Sequence, residues 1–337
     1  MFSIARSVFV LCFTKRILHF ASYSFFFLAV FLPPSRAQQN GTSGVSDCVS
    51  PAMIRQMVPE GNSVRVSPAM EQSHEAGAAE NEKGLGLAQT PENIRTLGEA
   101  HRWFEKAARK GYAPAQVNLA VLSLAGWGTA PNAGTALYWL REAARQQYAL
   151  AYFDLGVLYL EGCGVPRDDG EAFRYFEEGA DAGDSSAEMN LGYLYDQGRG
   201  VPQDRARAAS WYRKAAEDGL AQAQYNLADL YVRGEGVPRD EATAFAWFQK
   251  AAAQGYSGAR VMLGMMYADG RGTEKNPQAA YEWISAAVLQ GDARGAETLA
   301  AVERELSPEQ LAKSKGRAQL LAQSPRSRGD AVVALLH

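Results

Sequence analysis

Residues 187–219 read AEMNLGYLYDQGRGVPQDRARAASWYRKAAEDG, and the reading of this stretch decides the fold. Its key positions recur on both sides at a constant interval of 36 residues. Leu191 has counterparts at Leu119, Leu155, Leu227 and Leu263. The next position is always small: Ala120, Gly156, Gly192, Ala228, Gly264. Tyrosines follow at Tyr159, Tyr195, Tyr231 and Tyr267, and glycine pairs at Gly126/Gly128, Gly162/Gly164, Gly198/Gly200, Gly234/Gly236 and Gly270/Gly272. Ala136, Ala172, Ala208, Ala244 and Ala280 share one phase; Trp139, Tyr175, Trp211, Trp247 and Trp283 share another. Repetition at this period, with no insertion, marks a tandem array of supersecondary units.

Each unit predicts two helices. In the first, Ala151, Leu155, Leu158 and Tyr159 fall on one face at helical spacing. Gly162 stops it, because glycine enters the left-handed conformation of a helix end cheaply. The connection turns at Pro166, Pro202 or Pro238, and Asp168, Asp204, Asp240, Asn132 and Asn276 stand where a side-chain oxygen caps the second helix. That helix buries Ala172, Tyr175, Phe176 and Ala180 and stops at Gly183. The aromatic column at Trp139, Tyr175, Trp211, Trp247 and Trp283 reads as core. Neither helix covers its apolar stripe alone, so the units must stack. The expected fold is all-α, a right-handed α/α superhelical solenoid of 36-residue helix-turn-helix repeats.

The pattern Ala-x-x-Asn-Leu-Gly-x-Leu-Tyr-x-x-Gly-x-Gly-Val-x-x-Asp, then Ala-x-x-Trp-Tyr-x-Lys-Ala-Ala-x-x-Gly, resembles the Sel-one-like repeat (SLR), a relative of the tetratricopeptide repeat. The likeness runs from about Thr90 to Gln323. It implies a protein-interaction scaffold, of a kind that bacteria often export. A few cysteine-rich relatives are described as β-lactamases or penicillin binders; the present chain lacks their paired cysteines. An envelope enzyme of that type is the alternative the resemblance leaves open.

Five full repeats are expected at 115–294 within a solenoid of 90–306, with partial repeats at each end. Upstream, Ala100, Trp103, Phe104, Ala107, Ala108 and Gly111 match a second helix; downstream, Leu299 and Ala300 match a first. Ser307-Pro308-Glu309-Gln310 starts a capping helix over 307–323, followed by a flexible tail at 324–337. Residues 38–89, rich in Gly, Ser, Pro, Glu and Gln, read as a low-complexity, mostly disordered linker.

The N-terminus reads as an address. Arg6, Lys15 and Arg16 precede an apolar run from Phe20 to Leu32, and Ser35-Arg36-Ala37 supplies the small residues of a cleavage site. That order predicts a secretory signal over 1–37 and a periplasmic or secreted chain, with no membrane contact after cleavage. The charge-free stretch from Ile17 to Ser35 keeps an uncleaved anchor, holding a structural envelope component, as the alternative. The whole chain carries 34 Lys+Arg against 37 Asp+Glu; removing 1–37 takes away four bases and no acid, leaving −7. No basic cluster could track phosphates, so nucleic acid is not an expected partner.

Catalytic equipment is not legible. Ser-x-x-Lys, Gly-x-Ser-x-Gly and His-Glu-x-x-His do not occur, and beyond residue 37 only His74, His101 and His337 remain. No catalytic, metal or cofactor site is expected, and the glycine pairs read as turns. Cys48 and Cys163 could form a disulfide in an oxidising compartment. Partner binding is expected on the first helices, at the third, seventh and tenth residues of each repeat. There Phe153, Val157, Met189, Tyr193, Tyr225 and Met265 would line a concave groove for a protein or peptide. Asp196 and Asp229 would select a basic or amide-bearing ligand.

Overall fold

The computed structural model describes residues 68–89 and 94–323, and every regular element in that span is helical. The expected signal segment, the anchor alternative, Cys48 and the C-terminal tail lie outside the described residues. The helices are α1 (Pro68–Gln89), α2 (Ile94–Arg109), α3 (Ala113–Ala125), α4 (Ala133–Arg145), α5 (Ala149–Glu161), α6 (Asp169–Asp181), α7 (Ser185–Gln197) and α8 (Arg205–Glu217). They continue as α9 (Ala221–Arg233), α10 (Glu241–Ala253), α11 (Ser257–Asp269), α12 (Pro277–Leu289), α13 (Ala296–Glu305) and α14 (Pro308–Gln323). From α1 to α13 each helix packs on the next, and α14 folds back on α12. This is the all-α solenoid that the 36-residue period predicts, with odd-numbered first helices (A) and even-numbered second helices (B) from α3 to α12.

The punctuation works as the sequence implies. Gly162, Gly198 and Gly234 end their A helices at φ 74°, 67° and 68°, in the left-handed region. Asn132, Asp168, Asp204, Asp240 and Asn276 each accept a backbone N–H from the first turn of the following B helix. The second glycine of each pair has a different duty. A Cβ at Gly200 would overlap the carbonyl of Asp169, one at Gly236 that of Arg205, and one at Gly272 that of Glu241. Each turn therefore rests directly on the first turn of the preceding B helix.

Inside each repeat a leucine and a small residue face a large plug. Leu155, Leu191, Leu227 and Leu263 are fully buried. A methyl on Gly156 would stand 2.5 Å from the Phe176 ring, and one on Gly192 2.6 Å from that of Tyr212. The plug differs from the expected column by one residue. Leu140, Phe176, Phe248 and Ile284 are 0% exposed and Tyr212 2%; of the expected column Tyr175 is buried, whereas Trp139, Trp211, Trp247 and Trp283 are only half-buried. The reason is helical phase: residue 140 lies above Ala136 and below Ala143, while 139 falls at the rim of that stripe. A rim indole keeps one face open to cations, and Lys214 and Lys250 each sit 3.9 Å from the ring centroids of Trp211 and Trp247.

A second correction concerns the expected linker, whose last 22 residues form α1 and pack on α2. Helix α1 is a degenerate A helix. Gly84 keeps the small position, and a Cβ there would stand 2.6 Å from the Phe104 ring. Lys83 and Leu87 replace the usual leucine and tyrosine, which hides the repeat from inspection by identity. At the other end Ser307 and Gln310 form a reciprocal capping box, each side chain accepting the other's backbone N–H at 3.2 and 2.9 Å.

Candidate functional site

The expected binding residues lie on α5, α7, α9 and α11, one face of four successive A helices. Phe153 and Val157 on α5 are 2% and 7% exposed, and the Phe153 ring lies 6.0 Å from that of Phe176. Met189 and Tyr193 on α7, Tyr225 and Asp229 on α9, and Met265 on α11 are half-buried, while Asp196 is 6% exposed. Five of the eight therefore combine surface with packing, and they do so in register from repeat to repeat. Tyr225 shows how: its ring packs against Phe248 at 5.4 Å and Tyr256 at 5.2 Å. Burial raises its phenol above the ordinary tyrosine value.

The two acids are already engaged within the chain. Asp229 pairs with Arg233 at 2.5 Å, and Arg233 reaches Glu235 at 2.9 Å. Arg205 stands 3.2 Å from Glu235 and 3.5 Å from Asp196, which also accepts a hydrogen bond from Gln197 at 2.9 Å. Burial pushes the Asp229 carboxyl above its ordinary value, against the pull of Arg233. These carboxylates thus belong to a charge network joining α7, α8 and α9, and a basic ligand would compete with Arg205 and Arg233 for them.

Further charge pairs along the array involve residues that the sequence reading passed over. Arg199 donates to Asp169 at 2.8 and 3.0 Å, and Nη1 lies 3.5 Å from the phenol of Tyr193. Its guanidinium holds the Asp169 carboxyl down at about 2. Arg205 faces Glu235, and Arg271 faces Glu241 at 3.2 Å. Each pair joins the start of a B helix to a turn residue 30 positions later, and the order of charges alternates along the array. Opposite charges 30 residues apart in a 36-residue repeat were the available signal.

Cys163, 2% exposed between the two glycines of its turn, is disulfide-bonded. Cys48 lies outside the described residues. Among the described residues no group of three or more His, Cys, Asp or Glu side chains is placed to hold a metal ion. No described helix is long and apolar enough to cross a membrane.

Comparison with known proteins follows from this geometry. The family model for the Sel1 repeat matches residues 79–112, 113–148, 149–184, 185–220, 221–256 and 257–292. The chain belongs to the Sel1 repeat family. Its first matched repeat begins inside α1, in the stretch read as linker. Among solved structures it is similar to a protective antigen present in uropathogenic Escherichia coli strains that displays an SLR fold. Identity is 30% over 80% of this chain and 58% of that one, with a TM-score of 0.62; the chain spans little more than half that antigen's length. It is also similar to a Sel1 repeat protein from Oxalobacter formigenes, at 31% identity over 66% of this chain and 97% of that one, with a TM-score of 0.53. No curated protein matches the sequence. Sel1 repeat proteins commonly serve as scaffolds for protein–protein interaction, and their solenoids are typically non-catalytic.

Proposed function

We propose that this chain is an exported, non-catalytic scaffold that binds a protein or peptide along the groove formed by its A helices. The observation that carries the reading is the register of Met189, Tyr193, Tyr225 and Met265, half-buried apolar and aromatic side chains repeated on α7, α9 and α11. Such side chains offer large contact area at low entropic cost, and aromatic anchors of this kind dominate many interfaces. The internal pairing of Asp196 and Asp229 makes them positioning charges for the groove wall. Export rests on the basic, apolar and small-residue order of residues 1–37, and the disulfide at Cys163 suits an oxidising compartment. Cys48 is the proposed other half-cystine.

The test begins with an affinity capture from envelope extract using the chain beginning at Gln38, followed by a titration with each identified partner. Tyr193→Ala combined with Tyr225→Ala is expected to weaken binding by about 30-fold or more, corresponding to about 2 kcal/mol or more. Circular dichroism establishes that the variant is folded. Unchanged affinity would remove the groove from the proposal. Nitrocefin should not be turned over, and turnover would assign an enzyme instead. An N-terminus at Gln38 in protein recovered from the host envelope supports cleavage, whereas an intact residue 1 assigns the anchored form.

A further inference from the structure

One position in the first turn of the A helices combines varied chemistry with a single geometry. Gln116 Nε2 donates to the carbonyl of Ala108 at 3.2 Å, the Tyr152 hydroxyl to Ala144 at 2.8 Å, Gln224 Nε2 to Ala216 at 3.0 Å, and Arg260 Nε to Ala252 at 3.2 Å. Each reaches back eight residues, onto the end of the preceding B helix. An amide, a phenol and a guanidinium share only the possession of a proton to donate. The fifth member of the column is Glu188, 9% exposed, and the equivalent carbonyl is that of Ala180. An ionised carboxylate accepts only, and Glu188 Oε2 is buried with no hydrogen-bond partner.

A second ladder is interrupted at the same residue. Thirty positions apart, Lys110 donates to Glu80 at 2.6 Å, Gln146 to Gln116 at 2.8 Å and Gln254 to Gln224 at 2.9 Å. The corresponding pair at this junction is Asp218 and Glu188, two acids. In the first column the missing donor is Glu188 itself, and in the second it is Asp218, which stands where Lys110, Gln146 and Gln254 donate. A single proton on Glu188 supplies either contact, donating to the Ala180 carbonyl or, in the reverse sense, to Asp218.

We infer that Glu188 is carried as the neutral carboxylic acid in the stacked solenoid, and that its proton is a structural part of the junction joining α6, α7 and α8. Loss of that proton loosens the stack at this repeat and nowhere else in the column. The surroundings all act in the same sense, save one cation. From α8, Asp218 opposes ionisation and Lys214 favours it, although the Lys214 ammonium is already placed over the Trp211 ring. From the turn entering α7, Asp184 is 8% exposed and accepts the Ala187 N–H at 2.7 Å. From α5, Asp154 is fully buried and neither of its oxygens is hydrogen-bonded, where Asn118, Asn190 and Asn226 hold amides. α6 contributes the backbone carbonyl of Ala180. Burial, with Asp218 adding to it, pushes the Glu188 carboxyl up to about 7. Burial takes Asp184 to about 6, and it takes Asp154, beside Asp184, well above the carboxylate range.

The sign follows from linkage. A carboxyl whose value is higher in the folded chain binds its proton more tightly there than in the unfolded chain. The stability Glu188 contributes is therefore complete below about pH 4.5, declines as pH rises, and is lost once pH passes about 7.

The experiment compares the wild-type chain with Glu188→Gln, which holds a permanent donor of the same shape, by urea unfolding at pH 5 and pH 8. At pH 8 the variant is expected to show a folded-to-unfolded ratio about tenfold or more above wild type, and at pH 5 the two should agree within about threefold. Asp154 and Asp184 are present in both proteins, and the coupling of Asp184 to the Glu188 charge is part of the difference that is read. Equal ratios at pH 8, or a difference that does not change between the two pH values, would overturn the inference. A carbon-13 titration of the wild-type carboxyls stands apart from any failure of the variant to fold. A Glu188 midpoint within about one unit of 7 supports the proton, and one near 4.5 removes it.

Discussion

The repeats at 185–220 and 221–256 are neighbours built to one plan, and a difference at one polar edge separates them. Both use 13-residue helices, both end the A helix at a left-handed glycine, and both cap the B helix with aspartate. Leu191 and Leu227 are equally buried, as are Tyr212 and Phe248 at 2% and 0%. At the edge where the A helix meets the previous B helix, the second repeat has Gln224, bonded to Ala216 and to Gln254, while the first has Glu188 opposite Asp218. The apolar columns set whether the units stack. The polar edge sets the conditions under which a given pair is held tightly, so one unit can acquire pH sensitivity without a change in the core.

The largest expected effect tests the shared half of that statement. Tyr212→Ala and Phe248→Ala should each destabilise the chain by about 3–5 kcal/mol, through lost apolar burial and the cavity left beside Gly192 or Ala228. Urea unfolding at one pH should place the two within about 1 kcal/mol of each other, and a wide gap would break the equivalence of the cores. The next effect transplants the edge. Gln224→Glu should cost about 1–3 kcal/mol at pH 8, where a carboxylate leaves the Ala216 carbonyl without its donor, and under about 1 kcal/mol at pH 5. A loss independent of pH would show that the wider setting of Glu188, and not the residue type, creates the sensitivity. The smallest concerns the charged turns: Arg205→Glu should cost about 0.5–1 kcal/mol beside Glu235, with Glu235→Arg in the double variant restoring most of it. The penalty should shrink in 1 M salt, where screening reaches within about 3 Å.

The period of 36, the helix ends and the caps were legible because leucine, glycine and aspartate each have one job there, repeated by identity. Three features were not. Helix α1 keeps Gly84 but has Lys83 and Leu87 where other repeats have leucine and tyrosine, so the backbone geometry persists while the pattern does not. The plug beside the aromatic column carries the phase of the alanines, but its residues vary among leucine, phenylalanine, tyrosine and isoleucine, so identity does not mark it. The edge column reads Gln116, Tyr152, Glu188, Gln224, Arg260; no substitution class unites these, and only the distances to a carbonyl eight residues earlier reveal their common role. The eight expected groove residues follow from periodicity alone, at the third, seventh and tenth residues of their repeats. Asp229 is engaged by Arg233 within its own helix, a pair that local spacing does show, whereas the contact of Asp196 with Arg205 crosses to the next helix, beyond what a local pattern records.

The alternating charges at Asp169–Arg199, Arg205–Glu235 and Glu241–Arg271 give the array a parity. Excision of residues 185–220 would leave every core column aligned, yet it would set Asp169 against Glu235. Excision of two units, 185–256, would set Asp169 against Arg271 and close the seam again. Shortened forms of this chain should therefore be tolerated in steps of two repeats more readily than in steps of one.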